Sequence, residues 1–185
     1  MADPLRTQSP VSYPLQVNRL PQKGTTVTIE ADAAQRAALA HAHDLLSVQR
    51  FYAELGVRPW KGDGVRVTGR VEADITQACV VTLEPLIARI DEEIAALFVP
   101  DGSRLARADH ESGEILVEAE GEDLPEAFTG DRIDLGALAE EFFALGIDPY
   151  PRKSTATLDL PAEEEGKEEG SGPLHEGLKK LREKG

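Results

Sequence analysis

Apolar and polar residues alternate most regularly between residues 65 and 75, which predicts a β-strand with one buried face. Its apolar positions are Val65, Val67, Gly69, Val71, Ala73 and Ile75. Further strands are predicted over 13–17, 25–31 and 115–119, and from Phe51 to Trp60, where Phe51, Ala53, Leu55 and Val57 share one face. The run Lys61-Gly62-Asp63-Gly64 is a strong turn signal, so strands 51–60 and 65–75 should form a hairpin.

Two helices are predicted at opposite ends of the chain. Asp32 is a suitable N-cap for an Ala-rich helix that runs to about His43. Asp134 is the corresponding cap of a second helix, which Gly146 and Pro149 should end. One face of that helix combines Leu135, Leu138, Ala139, Phe142, Phe143 and Leu145.

The stretch from Leu86 to Val99 fits two patterns. Ile87, Ile90, Ile94, Leu97 and Phe98 are spaced as the stripe of a helix. A strand would instead align Ala88, Ile90, Ile94, Ala96 and Phe98, with Glu92 intruding. Periodicity leaves both open.

These elements predict an α+β fold, with a mainly antiparallel sheet, the Ala-rich helix and a second, C-terminal helix. A flexible lead-in should occupy residues 1–12 and a single domain residues 13–160. Residues 161–185 should form an acidic, disordered linker, rich in Glu, Gly and Ser over 161–172, and then a short basic segment. That last segment has Leu174, Leu178 and Leu181 at helical spacing.

Charge divides the chain into segments of opposite sign. The net charge is −14, yet residues 1–70 carry +3 and residues 71–148 carry −16. This balance argues against a protein that wraps nucleic acid in a basic coat. The start of the chain shows no secretory signal, and no apolar run is long enough to span a membrane. We therefore expect a cytoplasmic protein with no membrane partner.

The residues contain no recognisable catalytic or metal-binding constellation. Cys79, the single cysteine, excludes a disulfide framework; we expect a small buried residue with an ordinary thiol pKa rather than a nucleophile. His41 and His43 are two positions apart on a helix and face different ways, and His110 adds no recognised metal-ligand spacing. We expect no catalytic residues, no cofactor, no bound metal and no small-molecule substrate, hence no enzyme.

Basic residues gather around the predicted hairpin of strands 51–60 and 65–75. Arg58, Lys61, Arg66 and Arg70 lie there with Arg50, and Tyr52 and Trp60 are close in sequence. Arg66 and Arg70 are an even number of residues apart, so they should share the polar face of their strand. An RNA-contacting surface and an ordinary solvated face explain this cluster about equally well. The acidic residues from Asp109 to Asp123 could attract a basic protein, but solubility and extension of a loop explain them better.

Four short motifs resemble the bacterial YceD-like family, the large ribosomal RNA subunit accumulation proteins. They are Gly69-Arg70-Val71, Gln77-Ala78-Cys79-Val80-Val81-Thr82-Leu83-Glu84-Pro85, Ile133-Asp134-Leu135-Gly136 and Asp148-Pro149-Tyr150-Pro151-Arg152-Lys153. The resemblance covers residues 13–153, and Gly172-Pro173-Leu174 with Leu178-Lys179-Lys180-Leu181 is similar to the family's C-terminal segment. The Cys-Val-Val-Thr-Leu-Glu-Pro form is similar to the alphaproteobacterial branch.

The resemblance implies a non-enzymatic role in the synthesis, processing or stability of large-subunit ribosomal RNA, without a cofactor. The expected partner is the RNA precursor; the alternative is an acidic adaptor that holds a basic ribosomal protein. Some relatives carry a second cysteine near the first, which suggests a metal, but this chain has only Cys79. For residues 86–99 the resemblance favours a strand, and we adopt that prediction.

Overall fold

Three long antiparallel strands form the centre of the structure, a computed structural model that describes residues 8–103 and 125–153. The described elements follow in chain order: β1 (Pro14–Gln16), a 3-10 turn (Val17–Arg19), β2 (Thr25–Glu30), α1 (Ala33–Ala42), β3 (Ser47–Trp60), β4 (Gly64–Ala78), β5 (Pro85–Pro100), β6 (Glu126–Phe128), β7 (Arg132–Asp134) and α2 (Leu135–Leu145).

The strands form two sheets. The larger has the order β2-β3-β4-β5-β6, in which β2 to β5 are antiparallel neighbours and β6 runs parallel to β5. The smaller pairs β1 with β7, antiparallel. This architecture confirms the α+β prediction, and it confirms the hairpin of β3 and β4. Residues 86–99 lie in β5 and pair with β4 along most of their length, which confirms the strand adopted for them.

One face of the larger sheet is buried, and the other is exposed except at Leu97 and Val99 of β5, which are buried on it. The buried face follows the predicted alternation through Phe51, Ala53, Leu55, Val57, Val65, Val67, Val71, Ala73 and Ile75. Helix α2 packs on β4 and β5, and α1 packs on β3. The rings of Phe143 and Phe51 meet edge to face, with centroids 5.5 Å apart, a geometry that aromatic rings favour.

Both predicted helix caps are present. The Asp32 carboxylate accepts a hydrogen bond from the backbone N–H of Gln35 at 2.8 Å, and the Gln35 side chain accepts one from the Asp32 N–H at 2.9 Å. This reciprocal pair is a capping box. Asp134 caps α2, which ends at Leu145 with Gly146 at the C-cap. The predicted face of α2 is wrong at Leu145, which is 73% exposed, because it lies in the final turn, where the helix ends.

Several predictions lie outside the described residues: the strand at 115–119, the start of the lead-in, the boundary at residue 160 and the whole of 161–185. Within the described part of the lead-in, Val11 is buried and belongs to the core beside Leu135. None of the helices in the described part of the chain is long and apolar enough to cross a membrane.

Candidate functional site

The turn between β3 and β4 carries a compact group of cations. Arg58 lies directly opposite Arg66 in the strand pairing, and Lys61 begins the turn that joins the strands. The turn is tight, with φ of 78° at Gly62, a conformation that glycine adopts without steric cost. The fold therefore gathers Arg58, Lys61 and Arg66, the basic end, at one end of the exposed sheet face.

Arg70 shares that exposed face, as predicted, but lies apart from the basic end. Four residues of extended strand separate it from Arg66, a distance of about 13 Å. Its guanidinium Nε bonds to the Asp91 carboxylate of β5. Arg50 and Arg89 both bond to Glu72, at 2.9 and 3.3 Å. The middle of the face is thus a network of ion pairs, and the basic end stands beyond it.

Of the two aromatic residues near the hairpin, one lies at the basic end and the other in the middle of the exposed face. The Lys61 ammonium lies 4.5 Å from the centre of the Trp60 ring, at the basic end. Tyr52 lies in the middle of the face, under Arg50, and its hydroxyl donates to Glu54 at 3.2 Å. Aromatic rings stack on nucleic-acid bases, and a neighbouring lysine can bind the phosphate backbone. Trp60 is therefore the aromatic side chain that accompanies the basic end.

Two further arginines, which the sequence analysis did not single out, line a groove formed by β1, the 3-10 turn and the start of β2. The groove has a volume of about 510 Å³, and Arg19, Thr25 and Arg132 contribute to its walls. Thr25 pairs with Val57, the neighbour of Arg58. Arg132 lies in the acidic segment 71–148, so the charge analysis of the sequence gave no reason to select it. The pairing of β1 with β7 brings it to the groove.

Two of the sequence motifs lie together at the opposite end of β4, about 45 Å away along the strand. Here the loop from Cys79 to Glu84 contacts the segment that follows α2. The Val80 N–H donates to the Pro151 carbonyl at 2.9 Å, and the Lys153 ammonium bonds to the Glu84 carboxylate at 3.0 Å. We call this group, Cys79–Glu84 with Asp148–Lys153, the motif cluster.

The remaining motif residues of the cluster lie at its surface or frame it. Pro85 begins β5 and pairs with Ala78, while Tyr150 is 72% exposed and Arg152 is exposed too. Thr82 lies within hydrogen-bonding distance of Glu84. The Lys153 hydrogen bond and charge, followed by the Thr82 hydrogen bond, lower the pKa of Glu84 below its usual value. Pro149 and Pro151 flank Tyr150 in the same segment, which bends at Pro149 and Tyr150.

Cys79 is buried inside the motif cluster, but its thiol is not ordinary. The Thr82 hydroxyl, then the backbone N–H groups of Lys153, Thr82 and Val81, donate hydrogen bonds to it. They lower the pKa of the Cys79 thiol from 9.0 to about 6, although burial acts to raise it. The expectation of an ordinary thiol pKa is therefore wrong, because the donors come from the loop geometry and from a residue distant in sequence. The residue also lies just after β4 rather than within it.

This thiol should make stability depend on pH in a defined direction. Between about pH 6 and pH 9 the unfolded chain keeps the Cys79 proton while the folded chain releases it. We therefore expect the free energy of unfolding to rise with pH across this window and to lose that contribution below about pH 6. Denaturant unfolding at a series of pH values measures it, with Cys79→Ala as the reference. Profiles of equal slope in the two proteins would contradict the assignment.

Asp134 and Gly136, from a third motif, organise the fold and lie outside the motif cluster. The Asp134 carboxylate accepts from the Ser12 hydroxyl at 2.6 Å and from the backbone N–H groups of Tyr13, Gly136 and Ala137 at 2.8 to 3.0 Å. Partial burial would raise the pKa of Asp134, but these hydrogen bonds outweigh it and hold the pKa below its usual value. Leu135, beside it, is fully buried.

Within residues 8–103 and 125–153, no three His, Cys, Asp or Glu side chains are arranged to hold a metal ion. His43, at the end of α1, contacts Glu140 of α2 at 3.0 Å and stacks edge-on against Phe143. It therefore ties the two helices together. His110 lies outside the described residues.

Comparison with known proteins gives one match. The model of the family described as "Large ribosomal RNA subunit accumulation protein YceD" matches residues 67–182, more than half of the chain. The matched region includes β4 from Val67 onward, β5, the motif cluster and α2. No curated protein and no solved structure matches. The resemblance to the alphaproteobacterial branch stays a prediction.

Proposed function

The chain belongs to the YceD family of large ribosomal RNA subunit accumulation proteins, and from that membership we propose a non-enzymatic factor that binds the large-subunit RNA precursor. It would support the synthesis, processing or stability of that RNA. The proposed contact surface is the basic end, with Trp60 beside it.

The cross-strand pairing of Arg58 with Arg66 is the observation that carries this proposal. Side chains on directly opposite positions of neighbouring strands are about 5 Å apart at their Cβ atoms. Two guanidinium groups in that relation present several N–H donors to one or two adjacent phosphates, a geometry suited to bidentate bonds. Lys61 and Trp60 add a further cation and a stacking surface at the same end.

The negative charge of residues 71–148 restricts the direction from which RNA can approach the protein. Residues 71–148 carry a net charge of −16, and a field of that sign repels a phosphate backbone. Glu72 and Asp91 neutralise the arginines in the middle of the exposed face. We expect RNA to meet the protein at the basic end, and the groove lined by Arg19 and Arg132 offers two further cations.

We expect the triple variant Arg58→Glu, Lys61→Glu, Arg66→Glu to bind large-subunit precursor RNA at least about tenfold more weakly than the parent at fixed salt. In a plot of the logarithm of the binding constant against the logarithm of salt concentration, the slope should become less negative. The change should be roughly 0.7 to 0.9 for each phosphate that the variant no longer neutralises. Arg58 and Lys61 are exposed and Arg66 is half-buried, so the thermal midpoint should change little. Filter binding or anisotropy across a salt series measures both quantities.

The matched control compares two arginines of one strand. Arg66→Glu should weaken RNA binding, whereas Arg70→Glu, about 13 Å further along the same strand and outside the basic end, should bind nearly as the parent does. Equal losses in the two variants would indicate a general effect of net charge rather than a surface. Parent-like binding by the triple variant would overturn the proposal, and the acidic adaptor for a basic ribosomal protein would become the leading hypothesis.

A further inference from the structure

Strand β5 has an open edge along most of its length. In the described part of the chain, β6 pairs only with Phe98–Pro100, so residues 86–97 have β4 on one side and no strand on the other. An open edge presents a row of backbone N–H and C=O groups that can pair with another extended segment. Natural proteins usually protect such an edge with lysine, with a bulge or with short length.

This edge has none of those three protections, although it carries the charged side chains of Arg89, Asp91, Glu92 and Glu93, which restrict the kind of strand that can pair with it. Lysine is absent from β5, and its register against β4 continues without a shift from Val65 to Ala78. At its start Ile87 is 86% exposed, and Leu83 in the preceding loop is 77% exposed. The other edge of the sheet, β2, is a six-residue strand followed directly by α1. Of the two edges, β5 is the longer and the one with exposed apolar side chains at its end.

The charge of the edge defines the partner that fits it. Asp91, Glu92 and Glu93 are consecutive in β5, and Arg89, its one cation, already bonds to Glu72 at 3.3 Å. Asp91 and Glu93 are exposed on the same face as Ile87. An added strand would therefore set its alternate side chains beside Ile87, Arg89, Asp91 and Glu93. Cations opposite the two carboxylates and an apolar residue near Ile87 would complement that row.

We propose that residues 87–95 of β5 accept an extended, lysine- or arginine-rich segment of a partner protein as an additional strand. Backbone hydrogen bonds to the edge supply affinity, and the carboxylates of Asp91 and Glu93 select a basic segment. An apolar side chain of the segment contacts Ile87 and Leu83. This proposal is independent of RNA binding, because none of its residues belongs to the basic end.

A synthetic peptide of about nine residues with alternating lysine and valine is the probe, and its counterpart has glutamate in place of lysine. We expect the full-length protein to bind the lysine peptide with micromolar affinity and to bind the glutamate peptide at least tenfold more weakly. Amide hydrogen exchange of residues 87–95 should slow when the lysine peptide binds, because their free backbone groups become paired. Charge attraction without strand addition would leave those amides unchanged and would overturn the proposal.

Two variants locate the surface. Glu93→Lys on β5 should weaken binding of the lysine peptide about tenfold, whereas Glu30→Lys, an exposed carboxylate on the opposite edge strand β2, should not. Equal effects of the two substitutions would overturn the proposal. So would a concentration-dependent dimer of the protein alone that protects the same amides, since a second copy would then be the occupant.

Discussion

Gly136→Ala should lower the free energy of unfolding by about 3 kcal/mol, although the same change stabilises most helices by about 1 kcal/mol. A Cβ at this position would lie 1.8 Å from the Val11 carbonyl oxygen and 2.8 Å from the Tyr13 nitrogen. Both atoms are backbone, so no side-chain rotation relieves the overlap. The segment from Val11 to Tyr13 would have to move away from α2, and the hydrogen bond from the Leu135 N–H to the Tyr13 carbonyl would break.

Gly56→Ala is the matched control for this prediction. Its Cβ would meet the Thr68 oxygen at 3.5 Å, an ordinary van der Waals distance, so stability should change by no more than about 0.5 kcal/mol. Urea unfolding with a common slope compares the two variants with the parent. If Gly136→Ala unfolds at the parent midpoint, the close packing of the N-terminal segment on α2 is not a constraint.

Asp134→Ala should destabilise the protein by about 2 kcal/mol, the upper range for loss of a helix cap. The carboxylate does more than cap α2, because it also holds Ser12 and Tyr13. Asp134→Asn keeps an oxygen for the N–H groups of Gly136 and Ala137 but places an amide in the position of the second oxygen, so its loss of stability should be intermediate.

The pH profile distinguishes the carboxylate from a general packing effect. The pKa of Asp134 is lowered in the folded state, so its contribution is complete above the unfolded pKa of 3.8 and is lost as the pH falls below it. The parent should therefore lose stability more steeply than Asp134→Asn as the pH falls below 3.8. A constant difference between the two proteins at every pH would show that charge on Asp134 has no part.

The sequence predicted correctly those helices and strands that depend mainly on residues close together in the chain. The alternation from Val65 to Ile75 predicted β4, and Asp32 predicted the start of α1. Residues 86–99 were ambiguous because four consecutive apolar residues, from Ala96 to Val99, are buried. They interrupt strict alternation where both faces of β5 are covered, and only pairing with β4 decides the structure there.

The properties of the site depend on residues far apart in the chain, which explains what the sequence did not predict. Arg70 was grouped with Arg66 because Asp91, its partner, is 21 residues away. The lowered pKa of Cys79 depends partly on the backbone of Lys153. Arg132 reaches the groove beside Arg19 only because β7 pairs with β1. No pattern within a window of ten or twenty residues contains these relations.

The pairing of Pro14 with Asp134 also sets an order of events during synthesis. Strands β2 to β5 are neighbours in sequence and can pair as soon as each leaves the ribosome. β1 has to wait for β7, which at about 5 to 20 residues per second follows roughly 6 to 24 seconds later. Throughout that interval Val11 has no α2 to pack against. The segment around Val11 therefore stays unpacked until α2 has been synthesised.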